Sequence, residues 1–186
     1  MLIFSNRFLQ YERRMKLFFK LSALVFSFNL FLPLDLFSQS GSYVIDQTEW
    51  TEGKSAELRL AISIKNGSGK IIEIGNALND EIQIVSIEHN TASLWMTTNQ
   101  ALFDKKISGT ALVQIVEKRA KIEFNDALKS GDKLVIKLAL AVPTAHALKS
   151  HSDKNHSLDV TVSKDRNSSS VKLTNSQTIK VKADAP

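Results

Sequence analysis

The sequence predicts an all-β protein: an immunoglobulin-like or jelly-roll β-sandwich of about nine or ten antiparallel strands, preceded by an N-terminal signal segment. Two observations predict this fold class. From Tyr43 onward, apolar and polar residues alternate with the period of half-buried strands, and turn-forming residues separate the alternating runs. Helical periodicity over ten or more residues is absent from the same region, so no βαβ rhythm is present.

Residues 1–40 are predicted to be a leader, with a signal peptide that starts at Met15 and is cleaved after Ser40. Two lysines precede a mostly apolar run over residues 21–34. Ser38 and Ser40 then supply the small residues, two positions apart, that a signal peptidase reads in an extended chain. We therefore expect a periplasmic protein, or one that is secreted or held at the cell surface.

An uncleaved membrane anchor is the alternative for this segment, and it needs about 20 consecutive apolar residues. Asn29, Pro33 and Asp35 interrupt the run, so we expect no stable membrane span after cleavage. Residues 41–186 are then predicted to form a single β-sandwich domain, which is large enough to bury a core without cross-links.

Charge and cysteine content narrow the function classes. The predicted mature chain holds 19 basic and 17 acidic residues, so it lacks the strong basic excess that is typical of nucleic-acid binding. We expect no nucleic-acid partner. The chain has no cysteine, which excludes a thiol nucleophile and means that an exported form is stabilised by packing alone.

The strongest local pattern is AELRLAISIK, which places four apolar residues on one face of a strand: Leu58, Leu60, Ile62 and Ile64. Asn66 and Gly67 follow, and both tolerate the positive φ angles of a tight turn. The sequence therefore predicts a hairpin here, with the returning strand over residues 71–74.

Other segments give more local predictions. In EIQIVSIEH the apolar pattern shifts by one residue between Ile84 and Ile87, which indicates a β-bulge. TALVQIVEK is apolar on both faces, which is typical of a central strand. Single helical turns are predicted for NQALFDK and NDALKSGD, capped by Asn99 and Asn125. SQTIKVKADAP is predicted to be the closing strand.

Aromatic residues supply the candidate ligand-binding site. Indole and phenol rings can stack on sugars, and Tyr43, Trp50 and Trp95 are the candidates for such a face. A carbohydrate-binding module that uses Trp50 and Trp95 is therefore the first alternative function, with a glycan as the partner.

Three of the four histidines, His146, His151 and His156, lie within residues 145–157. Imidazole is a metal ligand, but a spacing of five residues places no pair on one face of a strand or helix. The polar surroundings favour a solvated loop, so no specific metal site and no cofactor are predicted. A metal-binding periplasmic protein remains the second alternative function.

Catalytic signatures are absent from the sequence. It has no G-x-S-x-G elbow and no glycine-rich loop that opens a helix, and no serine is placed to act with His89. We expect no enzyme and no catalytic residues. The function favoured by the sequence is that of an exported, non-catalytic β-sandwich of the cell envelope, which binds or assembles with another envelope or surface protein.

Overall fold

The computed structural model describes residues 39–76, 82–142 and 158–182 of the chain. These residues belong to one unit, Ser38–Pro186, and contain thirteen strands and one short helix. The strands are β1 (Ser40–Ile45), β2 (Glu49–Thr51), β3 (Ser55–Asn66), β4 (Ser68–Asn76), β5 (Ile82–His89), β6 (Ala92–Ser93), β7 (Trp95–Thr97), β8 (Thr110–Val116), β9 (Arg119–Lys129), β10 (Lys133–Ala141), β11 (Leu158–Ser163), β12 (Val171–Lys172) and β13 (Lys180–Lys182). The helix, α1, spans Gln100–Phe103.

Two sheets form the sandwich. Sheet 1 has the order β1-β3-β10-β5-β6, and sheet 2 has the order β12-β11-β4-β9-β8-β7. The all-β sandwich is thus confirmed. The strand count exceeds the predicted one because several connections also form short ladders. Two of those ladders, β7 with β8 and β2 with β13, are parallel and not antiparallel as predicted.

The core lies between the two sheets and follows the predicted alternation. The four inward residues of β3 are buried, as are Ile122 and Phe124 of β9, whereas the intervening β3 residues face solvent. Full burial of each such side chain stabilises the fold by roughly 1.5–3 kcal/mol. Phe103 of α1 and Leu112 of β8 are also buried, outside this main core cluster.

The predicted hairpin at Asn66–Gly67 is wrong. β3 belongs to sheet 1 and β4 to sheet 2, so the chain crosses between the sheets at this point. Gly67 has a φ of +76°, a left-handed backbone conformation that glycine adopts readily. The turn that carries the chain between the sheets uses this conformation, as a hairpin turn would. The Gln39 side chain packs over Gly67 and donates a hydrogen bond to the carbonyl of Ser68.

The predicted bulge in β5 is confirmed. Ile84 pairs with Leu138 and Ser86 pairs with Lys137, which leaves Val85 as the extra residue. Val85 is exposed as a result. The shift returns Ile87 to the buried face of the sheet after the break in the pattern.

One of the two predicted helical turns is present. The Oδ1 atom of Asn99 accepts hydrogen bonds from the Ala101 and Leu102 amides at 2.9 and 3.4 Å, so it caps α1 as predicted. The turn predicted to start at Asn125 is wrong, because that residue lies inside β9. Among the residues that the structure describes, no helix is long and apolar enough to cross a membrane.

The closing strand is β13, and it pairs with β2. Ile179, just before it, is buried, and Lys180 and Lys182 are exposed as their alternation predicted. The Nζ atom of Lys182 lies 2.6 Å from Oε2 of Glu49.

Candidate binding surface

The structure does not bring the three candidate aromatic residues together on one exposed face. Tyr43 is 4% exposed and Trp50 is 2% exposed, whereas Trp95 is 51% exposed. The Tyr43 hydroxyl donates to the carbonyl of Leu158, and burial raises the pKa of Tyr43. The Trp50 indole donates to the carbonyl of Gln47 at 3.3 Å. Of the predicted ligand-binding set, Trp95 alone presents its ring to solvent.

The predicted histidine loop, with His146, His151 and His156, lies outside the described residues. Within the described parts of the chain, no group of three or more histidine, aspartate or glutamate side chains is placed to hold a metal ion.

His89 has a structural role that the sequence did not reveal. Its Nε2 atom lies 2.8 Å from Oδ2 of Asp132, which also accepts from the Lys129 amide at 2.7 Å. Asn90 donates to the other carboxylate oxygen of Asp132 at 2.9 Å and accepts from the Lys133 amide at 2.9 Å. These bonds join the β5–β6 turn to the β9–β10 turn.

Asp132 stays ionised in this cluster. Burial would raise its pKa, but the hydrogen bonds from Asn90, the Lys129 amide and His89 outweigh that effect and lower the pKa to about 2. These donors all meet Asp132, so the cluster joins the two turns.

A depression of about 200 Å³ lies where β3, β5 and β10 meet at one end of sheet 1. Its polar side chains are Ser55 and Gln83, and the Ser55 hydroxyl already donates to the carbonyl of Leu140 at 3.3 Å. The described residues that line this depression therefore do not provide the convergent polar groups that small-molecule sites require.

The feature that stands out is an open side of the sandwich. β5 contacts both β7 and β9, so the outer edges of β5 and β8 lie on the same side of the two sheets. β6 covers only the last two residues of β5, and β7 covers only Thr110–Leu112 of β8. Among the described residues, no strand pairs with the outer edge of Ile82–Ser86 or of Val113–Val116. We call these two edges the open side.

β8 is therefore only partly the central strand that its sequence predicts. Its first half is covered on both faces, and Ala111 and Leu112 are buried. Its second half forms a free edge, where Ile115 is 51% exposed and Val116 is 52% exposed. Apolar composition on both faces has two causes in this strand: burial at one end and an exposed apolar surface at the other.

Among the described residues, this edge shows none of the features that normally prevent strand pairing. Natural edge strands are usually protected by lysine, proline, an inward charge or a covering loop. The residues of β8, TALVQIV, include no charged residue and no proline. By contrast, the β13 strand has lysines at two of its three positions. The free half of β8 can therefore accept another strand.

Trp95 lies at one end of the open side and is held in place by backbone pairing. Its amide donates to the Gly109 carbonyl at 2.9 Å, and β7 then runs parallel to β8. The loop that precedes β8 is fixed by Asp126, whose Oδ2 accepts from the Ser108 hydroxyl and the Gly109 amide, both at 2.7 Å. The hydrogen bond from the Gly109 amide, followed by that from Ser108, lowers the pKa of Asp126.

A second exposed apolar residue, Ile107, lies in the same loop and is 49% exposed. The Asn125 side chain donates to the Ile107 carbonyl at 3.0 Å and to the Phe103 carbonyl at 3.3 Å. Because β9 anchors the loop at Asn125 and Asp126, Ile107 is presented from a fixed support. Trp95 and Ile107 are thus two exposed apolar residues near the end of β8 that begins at Thr110.

Comparison with known proteins finds weak structural similarities. No family model and no curated protein matches the chain. Among solved structures, CaCohA2 from Clostridium acetobutylicum matches with a TM-score of 0.41 and 13% identity, over 78% of this chain and 91% of that one. The sixth cohesin of scaffoldin B from Acetivibrio cellulolyticus, solved in complex with a Cel5 dockerin, matches with a TM-score of 0.35 and 13% identity, over 78% and 94%. The collagen-binding domain of a Staphylococcus aureus adhesin matches with a TM-score of 0.38 and 11% identity, over 75% and 93%. At these TM-scores the similarities carry no argument.

Proposed function

We propose that this chain is an exported, non-catalytic β-sandwich of the cell envelope that binds an envelope or surface protein through its open side. The observation that carries the proposal is the free, uncharged edge of β8, with Ile115 and Val116 about half exposed. A strand of the partner would complete sheet 2 at Val113–Val116 by main-chain hydrogen bonds, and the apolar side chains would add buried area.

Trp95 and Ile107 would anchor the same partner. Tryptophan is enriched among the residues that dominate binding energy, because it buries a large apolar area with few rotatable bonds. Both residues stand on structure that is fixed by the β7–β8 pairing and by Asp126, so little ordering is required on binding.

Export is supported by the sequence pattern of residues 15–40. In the structure β1 begins at Ser40, so this cleavage would remove the first residue of β1 and the hydrogen bond that the Asn66 side chain donates to the Ser40 hydroxyl at 3.0 Å. Mass spectrometry of protein purified from the envelope tests this part: we expect a mature N-terminus at Gly41. An intact residue 1 or 15 in envelope-located protein would contradict cleavage.

Site-specific photo-crosslinking tests the binding function. A benzophenone amino acid replaces Trp95 in the protein expressed in its own cells, and irradiation should yield a discrete protein adduct. Val44, on the opposite edge strand β1, is the matched control because it is 53% exposed, close to the 51% of Trp95. The same adducts at both positions, or none at either, would contradict a protein-binding open side.

The glycan alternative has a narrower basis in the structure, since Trp50 is buried and Trp95 is the one ring of the predicted pair that solvent reaches. Retention of the purified protein on polysaccharides, compared with that of Trp95→Ala, separates the two functions. Retention that depends on Trp95, together with no protein adduct, would favour the glycan.

A further inference from the structure

We infer that the strand that completes the free edge of β8 is β8 of a second copy of this chain, paired antiparallel about Ile115. The inference rests on the proposed function, because it names the partner of the same edge. It is carried by the length of the free edge, by the faces of its side chains and by its charge.

The turn that follows β8 lets a second β8 fit on the free edge. β7 occupies the outer edge of β8 as far as Leu112, so an added strand has room only beyond that residue. β8 ends at Val116, because Glu117 and Lys118, with φ of 50° and 63°, turn the chain back into β9. An added β8 therefore turns away toward its own β9 before it reaches the end of β7.

The side-chain faces and the end of β7 restrict the register. In a two-fold pairing within one continuous sheet, directly opposed residues share a face, so the centre of symmetry falls on a residue. Centred on Ile115, the pairing sets Ile115 opposite its own copy and Gln114 opposite Val116 of the other copy. Centred on Gln114, it would set Val116 of the second copy opposite Leu112, where Thr97 of β7 already lies.

The lack of charged side chains on the free edge permits this self-pairing. Val113–Val116 contain no charged side chain, so no like charges oppose one another across the two-fold axis. The apolar residue at the centre meets an identical apolar residue, which is the isologous contact that closes a dimer and does not propagate into a fibre. Sheet 2 of one copy would then continue into sheet 2 of the other.

Single-cysteine cross-linking tests the register, since the natural chain has no cysteine. Ile115→Cys should form a disulfide-linked dimer about tenfold faster than Val44→Cys under the same mild oxidation, because pairing raises the effective concentration of the thiols. The control is well matched, with Ile115 51% and Val44 53% exposed. Val113→Cys should link more slowly than Ile115→Cys, because in this register it lies opposite Glu117.

Sedimentation equilibrium gives the second readout. The purified natural sequence should show a concentration-dependent dimer, and Ile115→Lys should remain a monomer with an unchanged circular dichroism spectrum. Equal cross-linking rates at Ile115 and Val44, or a monomer at every concentration, would overturn the inference. If the photo-crosslink at Trp95 then gives an adduct with a different protein, the proposed function stands and self-pairing alone fails.

Discussion

The two tryptophans lie in opposite environments, so their truncation should cost very different amounts of stability. Trp50 is 2% exposed within the core and Trp95 is 51% exposed at the open side. A buried tryptophan removes about 150–250 Å² from water, which at about 25 cal/mol per Å² corresponds to roughly 4–6 kcal/mol. Measured Trp→Ala changes in cores cost about 3–5 kcal/mol. We expect that loss for Trp50→Ala, which also frees the Gln47 carbonyl.

Trp95→Ala should cost less than half as much, about 1–2 kcal/mol, because about half of the side chain is already in water. Urea unfolding followed by far-ultraviolet circular dichroism measures both variants without relying on tryptophan fluorescence. The slope with urea should be unchanged in each, so that the shift in midpoint reports stability. Equal losses for the two variants, or a loss under about 1 kcal/mol for Trp50→Ala, would refute the assigned burial.

Three further outcomes follow from local geometry. The pKa of Asp132 is lowered from 3.8 to about 2, so the ionised carboxylate stabilises the fold above about pH 4 and this stabilisation is lost as the pH falls toward 2. By urea unfolding, the natural chain should be more stable than Asp132→Asn by about 2 kcal/mol at pH 6, and this difference in stability should vanish near pH 2. Thr91 is a β-branched residue with a φ of 72°, so Thr91→Gly should raise the thermal midpoint through a gain of about 1 kcal/mol, and an unchanged midpoint would contradict the strain. At Gly41 an added Cβ would lie 2.6 Å from the Ser63 carbonyl oxygen, so Gly41→Ala should lower the urea midpoint by an amount equivalent to about 1–3 kcal/mol, and an unaffected midpoint would show that β1 shifts freely.

Much of the fold could be predicted because it depends on local alternation. The pattern of β3 predicted which residues are buried, and the break between Ile84 and Ile87 predicted the bulge of β5. The Asn99 cap was predictable for the same reason, since its hydrogen bonds reach residues only two and three positions along the chain.

The two local predictions that were wrong depend on pairing with residues that are distant in the sequence. A positive φ at Gly67 is compatible both with a hairpin and with a crossing between sheets, and the choice is made by which strands pair with β3 and β4. Asn125 has the residue type of a helix cap, but β9 continues through it to pair with β4 as far as Lys129. In both places the residue type suggested a local structure, and the tertiary pairing decided the outcome.

The open side, too, could not be predicted from the local sequence pattern alone. The sequence TALVQIV indicates a strand without charge, and a central strand or an open apolar edge would share that pattern. The short length of β7, which stops opposite Leu112, decides between them and leaves Val113–Val116 exposed at the edge. Likewise, Trp50 and Trp95 look alike in sequence, and their positions relative to the core separate them.

Amide hydrogen exchange over residues 110–118 measures most directly whether a strand adds to the free edge of β8. The purified protein is compared at a concentration where it is a monomer and in its associated form, whether with a second copy or with a captured envelope protein. Strand addition predicts that exchange slows at least about tenfold on association at those amides of Val113–Val116 that point to the free edge, since new ladder hydrogen bonds protect them. Unchanged exchange there, with slowing confined to the outer face of sheet 1, would show that the partner binds elsewhere.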